Sequence, residues 1–130
     1  MVREPENINI LVVEDEENLR NFYSQLLVEE GYNVDSASDG FSAYEKIIKG
    51  NYNLVLLDLM LPKMDGLSII RKLNDNKKNV KNSLPKILVM TNLGQDKILT
   101  EAISSGACGY FMKFEMTPDL VLAEVKKQSG

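Results

Sequence analysis

Asp58 lies inside an apolar run, with Leu54-Val55-Leu56-Leu57 before it and Leu59-Met60-Leu61 after it. An ionised carboxylate among such neighbours is costly unless it is paired or bound to a metal. Other groups that could do chemistry stand at similar places. Glu14 and Asp15 follow the apolar run Ile8 to Val13, Thr91 follows Ile87 to Met90, and Lys113 follows Tyr110 to Met112. Alone, each has an ordinary reading: acids suit the first turn of a helix, as Glu16 and Glu17 do, threonine is common in strands, and a lysine is usually at the surface. Together they are three carboxylates, one hydroxyl and one ammonium, each ending a short β-favouring run. Clustered carboxylates repel, and a hard divalent cation such as Mg²⁺, which prefers oxygen ligands, relieves the repulsion. A cation held by acids, with an ammonium and a hydroxyl beside it, is what in-line phosphoryl transfer requires. A carboxylate such as Asp58 can serve as the nucleophile and become an aspartyl-phosphate.

These groups meet only if the chain brings the run ends to one edge. The continuous run Ile8 to Val13 is too short for a helix and suits a strand buried on both faces. From Glu16 the period changes, and Leu19, Phe22, Tyr23, Leu26 and Leu27 form a helical stripe before Gly31. Tyr32 to Ala37 reads as a weaker strand. Phe41, Tyr44, Ile47 and Ile48 repeat the helical spacing before Gly50, and Leu54 to Leu57 is again a buried strand. Leu67, Ile70 and Leu73 mark a third helix, and the polar stretch Asn74 to Pro85 reads as a surface loop. Ile87 to Met90 is a fourth strand; Ile98, Leu99, Ala102 and Ile103 are a fourth helix ended by Gly106. Tyr110 to Met112 is the fifth strand, and Thr117-Pro118-Asp119 opens the last helix with a cap, a first-position proline and an acid. Strand and helix alternate throughout, which predicts a doubly wound α/β domain around a parallel sheet. In such a sheet ligands bind at the carboxyl ends of the strands.

Composition narrows the choice of function. The 130 residues suit one domain, and a net charge of −4 argues against a nucleic-acid surface. No histidine is present, which excludes a Ser-His-Asp triad and histidine zinc sites, and the single cysteine, Cys108, excludes an intrachain disulfide. Neither a secretory signal nor a membrane-length apolar stretch is visible, so a cytoplasmic protein is expected. No glycine-rich stretch runs into Gly-Lys-Ser/Thr, so a phosphoryl group would come from a partner rather than from a bound nucleotide.

Ile10-Leu11-Val12-Val13-Glu14-Asp15-Glu16, the segment Leu54 to Gly66 reading LVLLDLMLPKMDG, Val89-Met90-Thr91 and Gly109-Tyr110-Phe111-Met112-Lys113 resemble the receiver domain of bacterial two-component response regulators. The similarity runs from about Asn7 to Lys127, and the central segment is the most specific part. The resemblance implies a single receiver domain over 1–130 with a core of about 7–127. It also implies a flavodoxin-like sheet of five parallel strands in the order 2-1-3-4-5 with helices on both faces. Asp58 would accept a phosphoryl group from a sensor histidine kinase or a phosphotransfer protein. Asp15, Asp58 and the backbone carbonyl of Met60 would hold Mg²⁺, with Glu14 assisting directly or through water. Lys113 would pair with the phosphoryl oxygens, Thr91 would turn to bond them, and Tyr110 would swing inward behind Thr91. That shift would remodel the face of helix four, strand five and helix five, where an output partner, which the sequence does not name, would bind. A homodimer is compatible with this picture; direct contact with nucleic acid or membrane is not expected. No output domain fits after Lys127, so a stand-alone receiver is expected.

Three positions depart from the family pattern. Glu14 replaces a frequent second aspartate, Asn92 a small residue after Thr91, and Phe114 the usual proline after Lys113. A cis peptide bond before a residue other than proline costs about 2.5–4 kcal/mol, so the Lys113–Phe114 bond is expected to be trans. Phe114 is then expected to cover apolar surface near the output face, while the long lysine stem still reaches the carboxylates. The competing readings are a receiver-like binding module that does not switch and a small aspartyl-phosphate hydrolase. The hydrolase wants a second acid two residues after the nucleophile, where this chain has Met60. A flavin-binding domain is disfavoured because the acidic turn after the first strand would repel a flavin phosphate.

Overall fold

The computed structural model describes residues 4–77, 83–92 and 94–129. Among the described residues five strands, β1 (Asn9–Val13), β2 (Asn33–Ala37), β3 (Leu54–Asp58), β4 (Lys86–Thr91) and β5 (Gly109–Met112), alternate with five α-helices. The helices are α1 (Glu17–Glu29), α2 (Gly40–Lys49), α3 (Gly66–Asp75), α4 (Asp96–Ser104) and α5 (Pro118–Ser129). All strand pairs are parallel, and the sheet order is β2-β1-β3-β4-β5, the doubly wound, flavodoxin-like arrangement that the sequence predicts.

Strand alternation divides the apolar residues between two cores. Leu11, Val13, Val55, Leu57, Ile87 and Val89 face α2, α3 and α4, whereas Ile10, Val12, Leu54, Leu56, Leu88 and Met90 face α1 and α5. Every residue of β3 is buried, as a central strand covered on both faces must be. Burying each such aliphatic side chain is worth about 1.5–3 kcal/mol, so the placement of Asp58 at the end of β3 is strongly fixed.

Helix ends follow the expected chemistry. Glu16 caps α1 by accepting from the backbone N–H groups of Asn18 and Leu19, Asp39 and Asp65 cap α2 and α3, and the Thr117 hydroxyl accepts from Leu120 N–H. Gly31 and Gly106, with φ of 103° and 118°, end α1 and α4 in the left-handed region. Gly50 also ends its helix, but in extended backbone.

Some expectations need correction. Phe22, Phe41 and Ile103 lie at helical spacing yet are exposed, because each stripe is wider than the sheet face that it covers. The connection after Leu73 starts later than its composition suggests, since α3 continues to Asp75; residues 78–82 of that connection lie outside the described residues. The fifth strand begins at Gly109 and ends at Met112, and Lys113 opens a 3₁₀ turn over Lys113–Glu115.

Candidate functional site

Asp58 is the last residue of β3, and Glu14 and Asp15 follow β1 directly. Sheet order sets these strands side by side, with Val13 paired to Leu57, so the three carboxylates meet at one edge. Oxygens of Glu14, Asp15 and Asp58 all lie within 4.8 Å of one another. Glu14 is fully buried and Asp58 is 2% exposed, whereas Asp15 is exposed.

Lys113 compensates the buried pair. Its ammonium Nζ donates to Glu14 Oε1 at 2.8 Å and to Asp58 Oδ2 at 3.0 Å. The remaining oxygens are also used: Asp58 Oδ1 accepts from Met60 N–H at 3.1 Å, and Glu14 Oε2 from Glu16 N–H at 3.2 Å. Burial pushes the Glu14 carboxyl up to about 7 and the Asp58 charge adds to the rise, although Lys113 works against both. Burial disfavours the Lys113 ammonium, but the two carboxylates outweigh it and raise its pKa. Two acids sharing one cation are short of positive charge, which is the electrostatic condition under which a hard cation with oxygen preference is drawn in.

Backbone packing holds Asp58 in place. A side chain on Gly66, the first residue of α3, would lie 2.7 Å from the Asp58 carbonyl oxygen and 2.9 Å from Leu59 Cα, so only glycine lets α3 start against the end of β3.

Thr91 ends β4 and is buried, with its hydroxyl donating to Gln95 Oε1 at 2.7 Å. The same oxygen accepts from Asn92 N–H at 2.9 Å. Tyr110 lies on the same sheet face as Thr91 but one step back, paired with Val89, while Met112 stands opposite Thr91. Tyr110 is 50% exposed.

The Lys113–Phe114 bond is trans, as expected, and Lys113 still reaches both carboxylates. Phe114 is not where the sequence reading places it. Its ring is 55% exposed and lines the mouth of the carboxylate cleft with Leu19 and Met60, because the 3₁₀ turn keeps it directly beside Lys113.

Two participants were not legible in the sequence. Gln95 holds Thr91, and Arg20 Nη1 donates to the carbonyl of Glu14 at 3.1 Å, pinning the loop that carries the acids. A polar residue one turn along a helix is too common to single out; only the adjacency of α1 and α4 to the strand ends gives them meaning.

Comparison with known proteins agrees with this geometry. Residues 10–125 match the family described as the response regulator receiver domain. The transcriptional regulatory protein SrrA of Staphylococcus aureus is 36% identical over 117 residues, 90% of this chain and 46% of SrrA. The chain thus spans about half the length of the curated relatives it matches. Among solved structures, a signal receiver domain of a response regulator from Bermanella marisrubri superposes with a TM-score of 0.82 at 33% identity, covering 94% of this chain and 98% of that one. A CheY-like receiver domain protein from Methanospirillum hungatei gives a TM-score of 0.80 at 26% identity, covering 92% and 91%. With the sheet order, the acidic edge and these matches in agreement, the chain belongs to the response regulator receiver domain family of two-component systems.

Proposed function

We propose that this receiver is a phosphoacceptor switch, with Asp58 taking a phosphoryl group from a phosphohistidine on a sensor histidine kinase or a phosphotransfer protein. The observation that carries the reading is the Lys113 ammonium shared by two buried carboxylates, with the exposed Asp15 carboxylate beside them. Two buried carboxylates on one ammonium are costly to the fold, whereas a phosphoryl acceptor makes use of them. An Asp58 oxygen attacks phosphorus, the P–N bond breaks, and its electron pair leaves with the imidazole nitrogen. Lys113 pairs with the phosphoryl oxygens as they gain charge in the transition state.

The all-oxygen donor set fits Mg²⁺, which Glu14, Asp15, Asp58 and the Met60 carbonyl would hold. When bound it supplies charge neutralisation for the phosphoryl group. Switching follows from the Thr91–Gln95 bond. A phosphoryl group on Asp58 offers the Thr91 hydroxyl a charged acceptor, which is a stronger partner than a neutral amide. Thr91 then releases Gln95 at the start of α4, and Tyr110 moves into the space behind it. The face of α4, β5 and α5 changes shape, and an output partner binds one arrangement better than the other. Among the described residues no helix is long and apolar enough to cross a membrane, and we place the switch in the cytoplasm, where a histidine kinase domain presents its phosphoryl group.

The experiment is phosphoryl incorporation from acetyl phosphate with Mg²⁺, with chelator, and in Asp15→Ala. Incorporation is expected only with the metal and is expected to require a much higher Mg²⁺ concentration in Asp15→Ala. Equal incorporation in all three contradicts the metal-assisted reading.

A further inference from the structure

The cleft above Asp58 has an ionic floor and a mixed rim. Glu14, Asp58 and Lys113 form the floor, and Leu19, Met60 and Phe114 supply the apolar part of a rim that also carries Asp15, Glu16 and Asn92. Met60 and Phe114 are 49% and 55% exposed, so both are free to touch a group that enters the cleft. The Phe114 ring packs against no other aromatic ring among the described residues. The trans bond and the 3₁₀ turn at Lys113–Glu115 tie its backbone to that of the lysine that reaches the floor.

In-line displacement fixes what that rim meets. The attacking Asp58 oxygen is at the floor, so the leaving group stands on the far side of phosphorus, at the level of Leu19, Met60 and Phe114. Resting on the phosphoacceptor reading above, we propose that Phe114 is a specificity-determining residue that favours phosphodonors whose leaving group is a flat imidazole ring over donors with a small polar leaving group. An imidazole can lie against the phenyl ring in an offset or edge-on contact; ammonia has no flat surface to offer. In both cases an Asp58 oxygen bonds to phosphorus, the P–N bond breaks, and the electron pair departs on nitrogen. With the distal nitrogen of the imidazole protonated, the ring leaves neutral, and phosphoramidate protonated on its nitrogen releases neutral ammonia. The two donors therefore differ in what the Phe114 ring can touch, not in the bond that is broken.

The test compares phosphoimidazole with phosphoramidate as donors to the full chain at saturating Mg²⁺, in wild type, Phe114→Ala and Phe114→Tyr. The readout is the ratio of the two phosphorylation rates, which a general disturbance of the fold leaves unchanged. Phe114→Ala is expected to lower the phosphoimidazole-to-phosphoramidate ratio about three- to tenfold, the range of an aromatic pair contact, and Phe114→Tyr to keep the wild-type ratio. An unchanged ratio in Phe114→Ala, whether both rates fall together or neither does, overturns the inference and leaves the phosphoacceptor reading standing. Wild type that takes a phosphoryl group from neither donor overturns both.

Discussion

The two ends of the sheet handle polar groups in opposite ways. At the amino end, neutral amides close on one another. Asn9 N–H donates to Asn53 Oδ1 at 2.7 Å, Asn9 Nδ2 to the Asn51 carbonyl at 2.9 Å, and Asn33 Nδ2 to Glu6 O at 2.8 Å and Asn9 Oδ1 at 3.1 Å. This ladder ties β1, β2 and the loop before β3 together with neutral hydrogen bonds at low electrostatic cost. At the carboxyl end, by contrast, two buried carboxylates share a single ammonium. Hydrophobic residues of similar volume would stabilise that edge at least as well. One end is organised to hold strands in register, and the other carries the buried charge that the proposed phosphoryl transfer uses.

Lys113→Met breaks the comparison most severely. It leaves two buried carboxylates without their cation, and denaturant unfolding of metal-free protein at pH 8 should show a loss of about 3 kcal/mol. A loss below about 1 kcal/mol would mean that the charged end is no more poised than the amide end. Asn53→Ala probes the neutral end. Removing the acceptor of Asn9 N–H should cost about 1 kcal/mol, while the phosphorylation rate stays at the wild-type value; a changed rate would show that the two ends are coupled.

The smallest effect concerns a charge outside both ends. Asp35 on the edge strand β2 accepts from Tyr52 Oη at 2.7 Å and Lys46 Nζ at 3.0 Å. Burial pushes its carboxyl up, but those two bonds outweigh it and hold the pKa below 3.8. Below pH 3.8 the unfolded chain therefore binds more protons than the folded one. The contribution is present above that pH and is lost as pH falls through the folded pKa. Both side chains are substantially exposed, so Asp35→Asn should cost only about 0.5 kcal/mol at pH 7. Urea melts from pH 7 down to pH 3 should show the gap between variant and wild type closing at the acid end. A gap that widens there would reverse the sign of the argument.

Much of this organisation is legible in the residues, and for identifiable reasons. Continuous apolar runs such as Leu54 to Leu57 have one stable place, the centre of a doubly covered sheet, and whatever follows them is carried to its edge. Asp58, Glu14 and Thr91 are legible that way, and so is Lys113 although its strand stops one residue earlier. Amphipathic stripes are less exact. Phe22, Phe41 and Ile103 keep helical period with the core yet stay exposed, because periodicity gives a direction and not the width of the surface opposite. Gln95, Arg20 and the position of Phe114 depend on contacts between elements distant in sequence or on the path of one short turn. No local pattern encodes those.

On the proposed reading, the charged edge serves Asp58 as the carrier of a phosphoryl group. After reaction with acetyl phosphate and Mg²⁺, borohydride reduction converts an acyl phosphate to a stable product that peptide mass spectrometry can locate. That product is expected at position 58 and nowhere else in the wild-type chain, and none in a correctly folded Asp58→Asn variant. Modification at another carboxylate, or undiminished incorporation in Asp58→Asn, would contradict it.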